Sequence, residues 1–210
     1  DHMQADKFGR YTICNIYYDT DDWQLIRASI EKPVYKEKLR VRSYGVQGDD
    51  GKVFVELKKK YDGVVYKRRI TTAPETAKEF LNGEISGEKF RKIGREIEWF
   101  QSFYSAVPKV FIGYDRLAFA GVEQPELRIT FDTDIRYRTT ELDLRLGDHG
   151  APVLPHDEVL MEIKIPGVCP MWLSELLSKA GAFPTLFSKI GYCYTNHILK
   201  TGKKEELSCA

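Results

Sequence analysis

Cysteine is sparse in this 210-residue sequence, and no stretch of it is apolar over a membrane-spanning length. The four cysteines, Cys14, Cys169, Cys193 and Cys209, include no CxxC pair. That scatter disfavours a disulfide framework and favours a reducing compartment, so we expect a cytoplasmic protein. A transmembrane helix needs about 20 consecutive apolar residues, and we therefore expect no membrane segment.

A strong charge of one sign is also lacking, because 32 lysines and arginines nearly balance 31 aspartates and glutamates. The net charge of +1 argues against a protein that coats nucleic acid through bulk charge, so we expect no nucleic-acid partner. The sequence has no HExxH motif, no serine or cysteine in a nucleophile elbow and no evident Asp/His pair. Any anion-binding site must therefore be a local concentration of cations.

Hydrophobic periodicity predicts one α+β domain with about seven or eight mostly antiparallel strands and a helical insert. Strands are predicted at 11–18, 35–44, 109–120, 125–134, 135–145 and 158–165, with a hairpin at 52–70 around Asp62-Gly63. Helices are predicted at 21–32, from Pro74 to about 82, from there to about 105, and at 170–180. Segment 187–199 is compatible with a helix or a strand. We assign the domain to 4–200, with 1–3 as a cloning remnant and 201–210 as a tail.

The stretch YKEKLRVRSYG, residues 35–45, places three cations on one face of a predicted strand, because alternate side chains of a strand share a face. The cations are Lys38, Arg40 and Arg42. Other strand faces repeat the bias and carry Lys58, Lys67, Arg69, Arg116, Arg128, Glu162 and Lys164. One interpretation is a set of solvated sheet faces. The bias instead favours faces that point at each other across a curved sheet or barrel, with helices outside.

A cationic lumen of this kind would repel itself unless an anion filled it. Arginine donates two parallel hydrogen bonds to phosphate and lysine adds a compact charge, so the array suits a polyanion with many phosphoryl oxygens. A glutamate in such a lumen makes physical sense as the ligand of a divalent cation that bridges phosphate oxygens.

Several segments resemble the VTC domain, the polyphosphate polymerase domain of the triphosphate tunnel metalloenzyme (CYTH-like) superfamily, in its bacterial form. They are YYDT, IRASIEKPVYKEKLRVRSYG, VFVELKKK, YDRLAF, ELRITFDTDI, VLMEIKIPG and FSKIGY. The resemblance covers about residues 10–199. It implies an antiparallel β-barrel tunnel of about eight strands, with helices packed on the outside.

The resemblance implies transfer of the terminal phosphate of ATP to a growing polyphosphate chain, with Mn²⁺ (or Mg²⁺) as cofactor. It makes Arg40, Arg42, Arg116 and Arg128 the residues that hold the reacting phosphates. Further phosphate-binding residues are Lys38, Lys58, Lys67 and Lys189, to which the alternation adds Arg69. Glu162 of MEIK resembles the metal ligand.

Two departures from the family pattern stand out. Family members usually have a strand before YYDT that this chain is expected to lack. Eukaryotic members tend to carry another lysine shortly before the FSK lysine, where this chain has Thr185 and Leu186, and Lys179 is the candidate substitute.

Two other functions remain open. A metal-dependent triphosphatase of the same superfamily, acting on inorganic or nucleoside triphosphates, would line its tunnel with many more glutamates than Glu56 and Glu162. A non-catalytic module that binds polyphosphate or inositol phosphates would share the cationic faces. The sequence does not set the oligomeric state.

Overall fold

Eight antiparallel strands form one sheet within residues 2–200, the part of the chain that the computed structural model describes. The strands are β1 (Met3–Asp19), β2 (Tyr35–Tyr44), β3 (Val53–Tyr61), β4 (Val64–Thr72), β5 (Val107–Gly121), β6 (Arg128–Arg138), β7 (Ala151–Pro152) and β8 (Leu160–Lys164). The helices are α1 (Gln24–Ile30), α2 (Pro74–Leu81), α3 (Arg91–Tyr104), α4 (Met171–Lys179) and α5 (Lys189–Cys193). The predicted α+β class is confirmed, and the predicted tail, 201–210, lies outside the described residues. None of the helices in this range combines the length and apolarity needed to cross a bilayer.

The strand order is β4-β3-β2-β1-β5-β6, and the far edge of β6 is shared by β8 and β7. Within residues 2–200 the strands at the two ends of this order do not pair with each other, so the sheet is open. The expected closed barrel is therefore not formed. One reason is that the far edge consists of strands of only two and five residues, which give β4 little backbone to pair with. The expectation that this chain lacks a strand that family members have before YYDT stays a prediction.

The open sheet is strongly curved. Lys67 of β4 and Glu162 of β8 stand at opposite ends of the strand order, yet both line one cavity on the concave face. Because side chains alternate between the two faces along a strand, the predicted cationic faces lie on this concave side and most of the apolar faces on the convex side.

A large core covers the convex face. Leu39 of β2 and Leu57 of β3 are fully buried there against Ile97 and Phe100 of α3. The apolar residues of α3 therefore lie together against the sheet, because residues spaced by three or four share one side of a helix. A smaller convex cluster joins Ile129 of β6 to α4.

A second core fills one end of the concave face, which differs from the expectation of helices outside only. There Ile13 and Ile112 pack against Ile26 of α1 and Ile190 of α5. The ambiguous segment 187–199 is therefore helical, with α5 continuing into a π-helical turn at Tyr194–Ile198. Ser188 caps α5 by accepting a hydrogen bond from the Gly191 amide at 3.3 Å.

The predicted strands 125–134 and 135–145 were wrong as separate elements, because β6 runs unbroken from Arg128 to Arg138. Its Asp134 has a φ of 48°, and the pairing with β5 absorbs the irregularity as a register shift between Gly113 and Asp115. The chain beyond β6 is a loop. Arg138 holds it by donating hydrogen bonds to the carbonyl groups of Glu141, Asp143 and His149.

Most other helices and strands begin and end within a few residues of their predicted bounds. The Asp62-Gly63 turn joins β3 to β4 with φ values of 42° and 81°, as a two-residue hairpin turn requires. The strand predicted at 11–18 is longer than expected, because residues 3–5 pair with residues 119–121 of β5.

Two glycines let a 3₁₀ turn, Gly87–Phe90, pack directly on α3. A Cβ atom on Gly94 would overlap the carbonyl oxygen of Gly87, and one on Gly87 would lie 2.6 Å from the carbonyl oxygen of Gly94. This close backbone approach leaves no room for any side chain at either position.

We expect Gly94→Ala to lower the free energy of unfolding by about 1–3 kcal/mol, because the added methyl group forces the turn away from α3. Helix propensity alone predicts the opposite, a gain of about 1 kcal/mol. The exposed Ser102 in the same helix offers a matched control, since Ser102→Ala adds alanine without a clash. Urea unfolding measures both; a Gly94→Ala protein as stable as the parent would contradict the packing argument.

Candidate functional site

The concave face encloses a cavity of about 710 Å³, which we call the cationic cleft. Of the residues that the structure describes, ten lysines and arginines line it but only two carboxylates do, those of Glu56 and Glu162. The cations are Lys36, Lys38, Arg40, Arg42, Lys58, Lys60, Lys67, Arg116, Lys164 and Lys189. They come from β2, β3, β4, β5, β8 and the start of α5, so the curvature of the sheet is what concentrates them.

The strand register sets like charges directly against each other. Lys36 lies opposite Lys60 and Lys38 opposite Lys58 in the β2–β3 pair, and Lys58 in turn lies opposite Lys67 of β4. Like charges at such cross-strand positions destabilise a sheet. Among the described residues, Lys36, Lys38, Lys58 and Lys60 have no carboxylate oxygen within 4.0 Å. These four lysines therefore form a block of uncompensated charge.

The next row of the same three strands is compensated. Glu56 lies between Arg40 and Arg69 in the register and is only 1% exposed. One carboxylate oxygen accepts hydrogen bonds from Nε and Nη2 of Arg40 at 2.9 and 2.7 Å. The other accepts from Arg69, with Nε at 2.8 Å, and from Nζ of Lys67 at 2.8 Å. Burial alone would raise the pKa of Glu56, but Arg40 and Arg42 together with Lys67 outweigh it and lower the pKa to about 2.

Asp132 of β6 plays a similar role on the opposite wall and is completely buried. It accepts hydrogen bonds from Nε and Nη2 of Arg116 at 2.7 and 2.8 Å, and Nζ of Lys189 lies 2.6 Å away. Burial opposes its ionisation, yet Arg116 and Lys189 hold the pKa of Asp132 below its usual range. Its place on the polar face of β6 was visible in the sequence, but nothing there indicated that it would join two cations.

Aromatic and amide side chains of neighbouring strands hold the two arginines of β2. Arg40 donates to the Tyr17 hydroxyl at 3.2 Å, and Nε of Arg42 donates to Oδ1 of Asn15 at 2.9 Å. Arg42 also reaches the Tyr114 hydroxyl at 3.4 Å. Both guanidinium groups are therefore fixed at the cleft wall with some N–H groups still available.

Lys38 links the sheet to the cap of α5, because its Nζ donates to Oγ of Ser188 at 3.1 Å. Burial is the main cause that lowers the pKa of Lys38 to about 8, and the charges of Lys36, Lys58 and Arg40 lower it further. Lys38 is thus the cleft cation whose charge is most costly to keep without an anion nearby.

The structure brings most of the predicted site residues together. Arg40, Arg42, Arg116, Lys38, Lys58, Lys67, Lys189 and Glu162 line the cationic cleft. Arg69 joins them through Glu56, whereas Arg128 is exposed at the start of β6, opposite Lys164 of β8. Sequence reasoning did not assign Lys36, Lys60 and Lys164 to the site, although the alternation already gave their face. The roles of all these residues remain predictions.

Glu162 is the one predicted metal ligand, and its side chain is 49% exposed toward the cleft. Its nearest cation is Lys164, with Nζ 3.9 Å from Oε1. Within residues 2–200, no three His, Cys, Asp or Glu side chains are grouped as an all-protein metal site. A metal held here would therefore take most of its ligands from a bound phosphate and water.

A curved antiparallel sheet whose concave face gathers cations agrees with the basic walls that the resemblance implied, although the sheet is open rather than closed into a tunnel. The sequence model of the VTC domain matches residues 1–199. This chain belongs to the VTC-domain family. VTC domains are associated with polyphosphate polymerase activity, and the triphosphate tunnel superfamily fits the fold described above. A search of curated proteins returned no significant match.

The lowered pKa of Lys38 predicts how this VTC domain responds to pH. We expect its affinity for tripolyphosphate to fall as the pH rises through about 8, because the neutral Lys38 amine no longer attracts the anion. Lys58 and Lys67, whose pKa values burial also lowers, add to the decline. Lys38→Arg should move the first part of the decline to higher pH, since a guanidinium stays charged.

Calorimetric titration across about pH 7 to 9.5 compares the two proteins, and the ligand's own ionisation is common to both. If the affinities of the two proteins showed the same pH dependence, the charge of Lys38 would not contribute to tripolyphosphate binding.

Proposed function

We propose that the cationic cleft transfers the terminal phosphoryl group of ATP to the end of an inorganic polyphosphate chain. The observation that carries the proposal is the block formed by Lys36, Lys38, Lys58 and Lys60, whose like charges face each other across β2 and β3. Such a block gains stability only when an anion with closely spaced charges lies along it. A chain of phosphates has that charge spacing, whereas a single carboxylate does not.

The balance of charges favours a polymerase over a hydrolase of the same superfamily. Hydrolases would need several free carboxylates to hold two metal ions. Here Glu56 is already saturated by Arg40, Arg69 and Lys67, so Glu162 is the carboxylate of the cleft lining left for a metal.

The chemistry required of the protein is positioning and electrostatic stabilisation. A terminal oxygen of the polyphosphate chain attacks the γ-phosphorus of ATP, a P–O bond forms, and the bond to the β-phosphate oxygen breaks. ADP leaves with that electron pair, and the chain is longer by one phosphate. Arg40, Arg42 and Arg116 of the cleft hold the oxygens on which negative charge develops, because fixed donors stabilise such charge more strongly than water does. The exposed Arg128, which the resemblance also implies, donates to the same phosphates.

Glu162 fits a divalent metal such as Mn²⁺ or Mg²⁺ of the kind that binds one carboxylate and several phosphate oxygens. Its half-exposed carboxylate on the cleft wall leaves space for such mixed ligands. When bound, the metal would neutralise charge on the reacting phosphates. Arg116, held by Asp132, keeps its place beside them whether or not the metal is bound.

Arg128→Ala tests the proposal with little risk to folding, since Arg128 is exposed and its side chain has no hydrogen bond or ion pair with any of residues 2–200. We expect ATP-dependent synthesis to fall by about 100-fold or more, as when one oxyanion-binding donor is lost. Arg95→Ala on α3 is the matched control, because it removes an exposed arginine from the convex side. Polyphosphate chains are separated on gels after incubation with ATP and Mn²⁺.

The same incubation, together with a measurement of polyphosphate binding, distinguishes the other functions. Long chains support the polymerase, free phosphate without chains supports the hydrolase, and tight polyphosphate binding without ATP turnover supports a binding module. If the Arg128→Ala protein made polyphosphate as fast as the parent, Arg128 would have no role in the reaction.

Glu162→Gln tests the metal assignment. We expect the Mn²⁺ concentration for half-maximal synthesis to rise by more than the roughly tenfold that loss of an outer-shell partner costs, because glutamine is uncharged. Glu158→Gln changes an exposed carboxylate in the preceding loop and should leave the Mn²⁺ dependence as it is. Equal Mn²⁺ requirements in all three proteins would contradict the role of Glu162.

A further inference from the structure

Glu56 is the most heavily engaged carboxylate of the cleft, although its charge is opposite to the one the cleft needs. It sits on the middle strand of three, and its partners come from β2 and β4 on either side. Arg40 occupies one of its oxygens, while Arg69 and Lys67 share the other. With 1% exposure and both oxygens occupied, Glu56 offers no free coordination position to a metal ion.

Two roles are compatible with this burial. Glu56 could simply offset part of the positive charge so that the sheet folds. Alternatively, it could fix where the partner cations point. The division of partners between its oxygens favours the second role, because a carboxylate that accepts from three directions holds each donor in one orientation.

We propose that Glu56 is a positioning residue that orients Arg40, Arg69 and Lys67 toward the phosphates bound in the cationic cleft. The inference rests on the proposed function for its ligand class. Lys67 lines the cleft and keeps 42% of its side-chain surface exposed, while Arg69, 36% exposed, binds the same oxygen of Glu56 beside it. Each retains N–H groups that do not bind Glu56 and can donate to phosphate oxygens.

The sign of the effect separates positioning from charge balance. Removing the negative charge of Glu56 makes the cleft more positive, so charge balance alone predicts tighter binding of an anion. Positioning predicts weaker binding, because flexible cations must be ordered by the ligand itself. A residue needed only for folding predicts fewer folded molecules with unchanged or tighter binding in each.

The experiment measures tripolyphosphate affinity by calorimetry at constant ionic strength for three variants. Glu56→Gln removes the charge and keeps the size of the side chain. Glu56→Asp keeps the charge but withdraws the carboxylate by one methylene group, and it covers the case in which Glu56→Gln does not fold. Glu96→Gln is the matched control, because Glu96 of α3 pairs with Lys59 and Arg68 on the convex side of the same strands.

We expect Glu56→Gln and Glu56→Asp each to weaken tripolyphosphate binding by about tenfold or more, and Glu96→Gln to bind like the parent. In the synthesis assay, kcat of the Glu56 variants should fall by a larger factor than KM for ATP rises, since misplaced donors act mainly in the transition state. Tighter binding by Glu56→Gln together with parental binding by Glu56→Asp would overturn the proposal and leave charge balance as the role.

The binding assay requires no turnover, so this inference and the proposed function fail separately. A parent that binds tripolyphosphate without making polyphosphate, while both Glu56 variants bind weakly, would refute the polymerase and support the positioning role. A parent that makes polyphosphate while both variants bind it normally would refute the positioning role alone. A parent that binds no tripolyphosphate would refute both.

Discussion

Repulsion among the cations of the concave face is the constraint around which the rest of the structure is arranged. Ten lysines and arginines share a cavity of about 710 Å³, and at a low effective dielectric each close pair is unfavourable by several kcal/mol. Two buried carboxylates, Glu56 and Asp132, offset this repulsion on opposite walls by binding Arg40, Arg69, Lys67, Arg116 and Lys189. Among residues 2–200 no carboxylate oxygen lies within 4.0 Å of the lysines of β2 and β3 that line the cleft, so their repulsion is not offset by an ion pair.

The two faces of the sheet differ in what they contribute: the convex face mainly stabilises the fold, and the concave face carries the cationic cleft. The convex face buries leucine, valine and phenylalanine side chains against α2 and α3, and this burial, together with the smaller core at one end of the concave face, offsets the repulsion in the cleft. Because side chains alternate along β2 and β3, each residue of these strands faces either the convex core or the cleft. Leu39 stabilises the fold while its neighbours Lys38 and Arg40 face the cleft, so the two faces can change independently.

Much of this arrangement could be predicted from local patterns. Period-two alternation gave the face of Arg40, Arg116 and Glu162, and Asp62-Gly63 gave the hairpin, because these signals act within a few residues. Contacts between distant segments could not be read in this way. Nothing local indicated that Asp132 would join Arg116 to Lys189, or that segment 187–199 would be helical and fill one end of the concave face. The open edge of the sheet was likewise hidden, since closure depends on how β4 and β8 meet in space.

That open edge has a mechanical consequence. Among the described residues no backbone ladder joins β4 to β8, so no main-chain hydrogen bonds fix the separation of Lys67 and Lys164 across the cleft. An unpaired seam deforms more easily than a paired one, because separating paired strands breaks main-chain hydrogen bonds. If the cleft binds a polyanion as proposed, a ligand between these two lysines would link the two edges of the sheet and make the seam stiffer.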